Sequence, residues 1–448
     1  MKTNNFISAL VLLFACMMAN IDAQAQQRRL SLQEALEHAS AGNKELQIQK
    51  LEMFYQKERT REIKAMMLPS INFQGGVSHY FDRQVIFLPG TFAGTQKDVQ
   101  DVAVGGLNAL NASVSLSQPI LSESVRRQRK AAVLEETMQQ ERTADFEAEL
   151  RYAVTFAYFE MVVLQKELHL QQSSLSRSTK ELDDSRALFA QGRALKSDTL
   201  RSFIAAENTK SVISQIKSSL SISGLRLKRL IGIDENEDIT PADGLVSEKD
   251  FEEFEALQLQ YLTANSLSRP DLRWQQLSVE HQQSLLRAIQ GAKLPQLSLV
   301  GQYQLQAQND DLDLNQYVYP QTSFLGLQLS IPVFNGKKLA YQSNQAKIRI
   351  EQEKLRLADL TDQARLEIAA IFSSWEDAST KLAVQQKTIE AADLHYSMIN
   401  NRYKNGLSSK LELSDAEVSL TIAQLNHLRN LFEIKLLVVE LKKAMGKL

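Results

Sequence analysis

Apolar residues keep two rhythms along this chain, and the rhythm changes at the same landmark each time. Around Leu68-Pro69 and Leu294-Pro295 the period switches from helical to alternating. Ile71, Phe73 and Val77 alternate with Asn72, Gln74 and Ser78, and Leu110, Ala112, Val114 and Leu116 alternate with Asn111, Ser113, Ser115 and Ser117. Further on, Leu297, Leu299, Tyr303 and Leu305 alternate with Gln296, Ser298, Gln302, Gln304 and Gln306. Leu325, Leu327, Leu329 and Ile331 do so with Gly326, Gln328 and Ser330. The pattern predicts four strands, at about 70–81, 107–119, 296–306 and 322–333. Each has about the 9–11 residues that cross a bilayer when tilted. Their polar faces hold Ser, Asn and Gln rather than Lys and Glu, which suits a wet lumen better than an open surface. One such strand alone reads as half of a sandwich, but no other part of the chain supplies a second sheet.

Elsewhere the rhythm is helical. Neither Gly nor Pro occurs from Leu121 to Gln191 or from Lys337 to Asn405. A helix of that length spans about 100 Å and implies a coiled coil. Leu150, Val154, Ala157, Met161, Leu164, Leu168, Leu175, Leu182 and Phe189 follow steps of three and four, with Gln171, Ser178 and Ser185 inside the series. A 3.5-residue period predicts left-handed supercoiling. The polar members of the stripe suit a wide ring of helices or a weak coiled coil. Each long helix ends at a glycine, Gly192 or Gly406, the usual left-handed cap. A returning helix follows, roughly 196–231 and 408–445.

The whole arrangement occurs twice. Leu68-Pro69 returns 226 residues later as Leu294-Pro295, Ser117-Gln118-Pro119-Ile120 returns 213 later as Ser330-Ile331-Pro332-Val333, and Gly192 returns 214 later as Gly406. A period this long marks two copies of one complex unit rather than a solenoid. The predicted organisation is a first repeat over 26–232, an acidic linker over 233–253 and a second repeat over 254–448. The first hairpin loop, Phe81 to Gly106, is the longer of the two and reads as an external loop.

Composition narrows the class. With 17 Gly and 8 Pro in 448 residues the chain is built from long elements, and a net charge of −2 argues against nucleic acid. Residues 1–25 read as a secretory signal: Lys2, the apolar run Phe6 to Ala19, then Ala23-Gln24-Ala25 as the cleavage site. The single cysteine, Cys16, lies in that run, and lipidation there is the alternative to cleavage after Ala25. Beyond it no stretch approaches the roughly 18 apolar residues of a membrane helix. Four strands cannot close a barrel, since the smallest membrane barrels have about eight, and an open edge in lipid leaves backbone groups unpaired. Strands that span a membrane here therefore require an oligomer sharing one barrel.

These landmarks resemble the TolC-like outer-membrane efflux and secretion channels. The likeness rests on Leu30-Ser31-Leu32-Gln33-Glu34-Ala35-Leu36, Arg269-Pro270-Asp271-Leu272, both Leu-Pro strand starts and both Ser-x-Pro strand ends. It also includes Arg402-Tyr403-x-x-Gly406 followed by Leu411, Asp415, Ala416 and Glu417. The resemblance implies a mainly α chain in a homotrimer, whose four strands per copy make a twelve-stranded membrane β-barrel continued by a coiled-coil helical tunnel. It implies a passive outer-membrane duct of a tripartite efflux or type I secretion system, exporting small molecules or proteins and working with a periplasmic adaptor and an inner-membrane pump. The adaptor would meet the turns around Phe189, Gly192, Tyr403 and Gly406. Glu412 and Asp415 would ring the constriction, with Asp198 and Ser408 beside it. Ser408 stands where members of the family carry an arginine that ties the mouth shut, and Lys410 or Arg193 could substitute.

Other signals weigh less. The histidines are scattered singly, without paired-ligand spacing. Arg126-Arg127-Gln128-Arg129-Lys130 reads either as a headgroup contact or as a solvated face. Asp310-Asp311-Leu312-Asp313 lacks the spacing and glycine of a calcium loop. No catalytic or nucleotide-binding motif is present, so neither an enzyme nor a cofactor is expected. The rival reading is a periplasmic coiled-coil adaptor without a pore.

Overall fold

A computed structural model describes residues 28–92, 94–264, 268–314 and 317–448. The signal segment 1–25 and Cys16 lie outside the described residues. The chain forms two compact units that cut across the sequence repeats: one takes residues up to 51, 141–273 and 358–448, the other 52–140 and 274–357.

The second unit contains the large sheet. Strands β2 (Ser70–His79), β5 (Asn108–Leu121), β7 (Gln296–Asn309) and β8 (Gln321–Ser330) form an antiparallel sheet in the order β2-β5-β7-β8. Alternation along each strand fixes one face for each side chain, and the register lines up those faces across the sheet. Ile71, Leu116, Gly301 and Leu325 form one row, and Phe73, Val114 and Tyr303 lie in the next. On the opposite face Gln74, Ser113, Gln304 and Thr322 form a polar row. Phe324 is an exception, apolar among Asn72, Ser115 and Gln302. The apolar face is bare: Phe73 is 74% exposed and Leu325 69%. The Phe81–Gly106 connection is more than a long loop, because β3 (Gln84–Pro89) and β4 (Val99–Val104) pair in it as a two-stranded ribbon. Asp310, expected in an acidic surface loop, is a clamp: it pairs with Arg83 and accepts the Leu107 N–H at 3.1 Å.

The first unit is helical. Helix α1 (Leu32–Gly42) starts in a capping box between Ser31 and Glu34, followed by α2 (Lys44–Ala65), which passes into the second unit at Glu52. Helices α3 (Glu123–Ala190) and α7 (Lys338–Lys404) have 68 and 67 residues, and each belongs to both units. Their partners are α4 (Lys196–Ile231) and α8 (Lys410–Ala444), while α5 (Glu248–Ala264) and α6 (Pro270–Gly291) open the second repeat, α6 passing into the second unit from residue 274. The 3.5-residue stripe faces inward over most of its length: Leu150, Val154, Ala157 and Met161 are buried, as are the polar members Gln171, Ser178 and Ser185, and Ala364, Ile368, Ile371 and Ala378 in α7. Tyr158 is a hub. Its hydroxyl donates to the Leu30 carbonyl at 2.8 Å or to Asp243 at 2.7 Å and accepts the Ala242 N–H at 3.1 Å, holding the β1 (Arg28–Leu30) and β6 (Ile239–Pro241) pair. The 233–253 segment, expected as a linker, therefore carries a strand and the start of α5.

Both hairpins of helices are closed the same way at both ends. Gly192, Gly232, Gly406 and Gly446 all have φ between 71° and 73°, a left-handed conformation that costs a non-glycine residue about 1 kcal/mol. At the turns the Arg193 N–H reaches the Leu188 carbonyl and the Leu407 N–H the Arg402 carbonyl, each at 2.8 Å, the bond of a Schellman cap. The ends differ in crowding. A Cβ at Gly192 or Gly406 meets open space, whereas one at Gly232 would lie 2.3 Å from the Gly42 carbonyl oxygen. Gly192→Ala should therefore cost about the conformational 1 kcal/mol, and Gly232→Ala clearly more. Equal shifts in the thermal midpoint of the helical signal would contradict this.

Candidate functional site

The residues singled out from sequence gather at the α3–α4 and α7–α8 turns. Asp198 and Glu412 occupy equivalent positions, each the third residue of its returning helix. Such a site favours an acid, because the first-turn N–H groups lack partners. Asp198 accepts the Leu195 N–H at 3.2 Å. Ser409 caps α8 by accepting the Glu412 N–H at 3.2 Å, and the Ser408 hydroxyl donates to the Glu412 carboxylate. That Ser408 bond, with Ser409 adding to it, holds the exposed Glu412 carboxyl below its ordinary range. Asp415 is also exposed, one turn further on. Phe189 and Gly192 are exposed on the first turn and Gly406 on the second, with Tyr403 half-buried behind it.

The two helical hairpins are joined just behind these turns by buried charge. Lys410 pairs with Glu181 of α3, with side chains only 3% and 10% exposed. Lys410 also sits 5.8 Å from the centre of the Tyr403 ring. Burial pushes the Glu181 carboxyl up, against the pull of Lys410, and Glu417 nearby adds to the rise. Lys410 is thus engaged inside its own chain. Arg193 is exposed.

Sequence reasoning passed over a second acid, Glu417. It is buried on α8 and accepts from Ser174 at 3.1 Å, Ser178 at 3.4 Å and Arg177 at 3.3 Å, all on α3. Of the polar residues in the α3 stripe, Ser178 solvates this carboxylate together with Ser174 one turn before it, because an ion taken out of water needs hydrogen bonds. Their period was the available signal: Ser174 and Ser178 are four apart and share a helix face. Tyr396 closes the site, with Arg177 at 5.7 Å from its ring, and burial pushes its phenol up to about 12.

Two groups of charges thus have different work. Glu181, Lys410, Arg177 and Glu417 hold α3 to α8, while Asp198, Glu412 and Asp415 stay accessible at the turns.

The chain is similar to known proteins along most of its length. Residues 264–447 match the family described as outer membrane efflux protein. The chain is 20% identical over 337 residues to the proteases secretion protein PrtF of Dickeya chrysanthemi, covering 74% of this chain and 69% of that protein. In structure it is similar to the outer membrane protein VceC of Vibrio cholerae, with TM-score 0.75 at 17% identity over 93% of this chain and 96% of that one. It is likewise similar to the CmeC outer membrane channel of Campylobacter jejuni, with TM-score 0.73 at 15% identity over 93% and 85%. At such identities the structural likeness carries the fold.

Proposed function

From a chain that belongs to the outer membrane efflux protein family of TolC-like channels, we propose that three copies close one passive export duct through the outer membrane. The carrying observation is the open sheet. Strands β2 and β8 are both ten residues long, lie at the two edges of the sheet and are exposed along their length. An edge of free backbone groups cannot stand in lipid, so β8 of one copy must pair with β2 of the next. Two copies would give eight strands, about the number whose interior side chains fill completely. Three give twelve and leave a lumen, lined by the Gln, Ser and Asn face, with the bare Ile71-to-Leu329 face toward lipid. Planar-bilayer recording of detergent-purified protein should give a large ohmic conductance from a trimer. A monomer that stays soluble without detergent and never conducts would end this reading.

The duct needs no energy of its own. An adaptor in the periplasm meets the turns at Phe189, Gly192, Tyr403 and Gly406, and a pump in the inner membrane supplies drive and choice of cargo. The adaptor reading of the chain itself is less well supported. An adaptor would pack the apolar faces of its sheets together, whereas among the described residues nothing covers this one.

Threefold repetition brings the exposed Glu412 and Asp415 carboxylates together as a ring of six, beside Asp198 and Ser408. A narrow acidic ring passes cations in preference to anions. Glu412→Gln with Asp415→Asn should reduce the reversal potential in a salt gradient and leave the assembled trimer intact. An unchanged reversal potential removes the ring from the selectivity mechanism.

A further inference from the structure

At the end of β8 the apolar face does not stop with the ladder. Pairing ends at Ser330, yet Ile331 and Val333 continue the alternation of Leu325, Leu327 and Leu329. Ile331 is 53% exposed, Val333 93% and Phe334 82%. Directly after them the backbone turns through two left-handed residues, Gly336 at φ 61° and Lys337 at φ 63°. Lys337 is the one non-glycine residue among those described with a positive φ, and such strain persists where something else holds it. The turn sets the exposed Lys337 and Lys338 immediately beyond the apolar pair. Neither lysine has an ion-pair partner among the described residues.

The duplicated junction is built differently. There Ile120 and Leu121 are half-exposed and followed by Arg126 and Arg127, but Glu123 neutralises both arginines, at 2.7 and 2.6 Å. In the first repeat an acid at the helix start pairs with two of the following cations, whereas the second repeat places two lysines at its helix start.

We propose that Val333, Phe334, Lys337 and Lys338 form an interfacial anchor that takes anionic phospholipid headgroups of the leaflet next to the helices. The inference rests on the channel reading above, which puts the Leu325–Leu329 face in lipid. Apolar side chains at the end of that face enter the acyl boundary, and lysines a turn further on meet headgroup phosphates. A bilayer is the occupant that supplies apolar and anionic surface side by side and is continuous with the face already assigned to lipid.

The test is made on trimers in nanodiscs of phosphatidylethanolamine containing a small fraction of spin-labelled phosphatidylglycerol. Wild type should enrich the anionic lipid in its boundary shell. Lys337→Gln with Lys338→Gln should reduce that enrichment by about fivefold for each lysine, the value of one such charge near a membrane surface, and high salt should mimic the loss. Bilayer conductance of the same preparations separates the two claims. Equal enrichment in both proteins with normal conductance overturns the anchor and leaves the channel standing; no conductance from either removes both. Displacement of the labelled lipid by millimolar inorganic phosphate, or dissociation of the trimer by Phe334→Ser, also overturns it, by making the place a free-phosphate site or a contact between copies.

Discussion

Leu327→Arg is expected to remove nearly all assembled channel from the outer membrane, while Gln328→Arg, one residue further, leaves assembly close to normal. The two positions are neighbours on β8 and face opposite ways, since Leu327 pairs with Leu299 and Gln328 with Ser298. Leu327 is 65% exposed on the bare face. An arginine facing lipid there costs about 2–4 kcal/mol near the midplane, which is roughly 30- to 1000-fold in equilibrium, and a trimer carries it three times. In Gln328→Arg the new guanidinium projects from the other face into water and alters selectivity only. Trimer yield from membranes reads the contrast directly. Equal yields would place both faces of the sheet in similar surroundings and defeat the barrel.

The second large effect concerns Lys410. In Lys410→Met the Glu181 carboxylate keeps its burial and loses its counter-charge, a change that costs about 3–5 kcal/mol. The loss should fall on the join between α3 and α8, seen as faster proteolysis at the turns and higher open-channel conductance. Lys410→Met with Glu181→Leu should recover most of the stability, because a packed apolar pair spares both desolvation penalties. The pH dependence gives an independent check. The folded protein holds the Glu181 proton more tightly than the unfolded chain does. Its protonated form thus adds stability that is complete below the ordinary carboxyl value near 4.5 and is lost as pH rises through the raised one. The deficit of Lys410→Met should accordingly shrink as pH falls through that window, since a neutral Glu181 needs no lysine. A deficit independent of pH would mean that Lys410 acts through its methylene chain.

The long elements were legible because each obeys a local rule. An interval of about seventy residues without Gly or Pro leaves few alternatives to helix, and strict alternation with a polar Ser/Gln face leaves few to a strand. The β3–β4 ribbon was hidden for the opposite reason. Val85-Ile86-Phe87-Leu88 is a continuous apolar run without a period, so only the extra length of the loop betrayed it. Lys410 was hidden by position: a lysine at a helix start reads as solvated, and its burial depends on Glu181, 229 residues away. The grouping of the compact units was hidden too. Each repeat looks self-contained in sequence, but β5 pairs with β7, so the sheet is assembled from both.

That asymmetry between halves has a consequence for symmetry itself. Three copies of a doubled chain approximate a sixfold ring, in which every joint between hairpins would be the same. Here they are not. At 214 residues from Glu181 and Lys410 stand His395 and Lys196, and at the position matching Glu417 stands Phe203, which is 45% exposed. In the trimer proposed above, the buried charges hold α3 to α8 within each copy, and the matching positions of α4 and α7 carry no such set. A ring of six identical units would loosen everywhere or nowhere. A trimer of such chains would carry this buried charge at three of its joints and lack it at the other three.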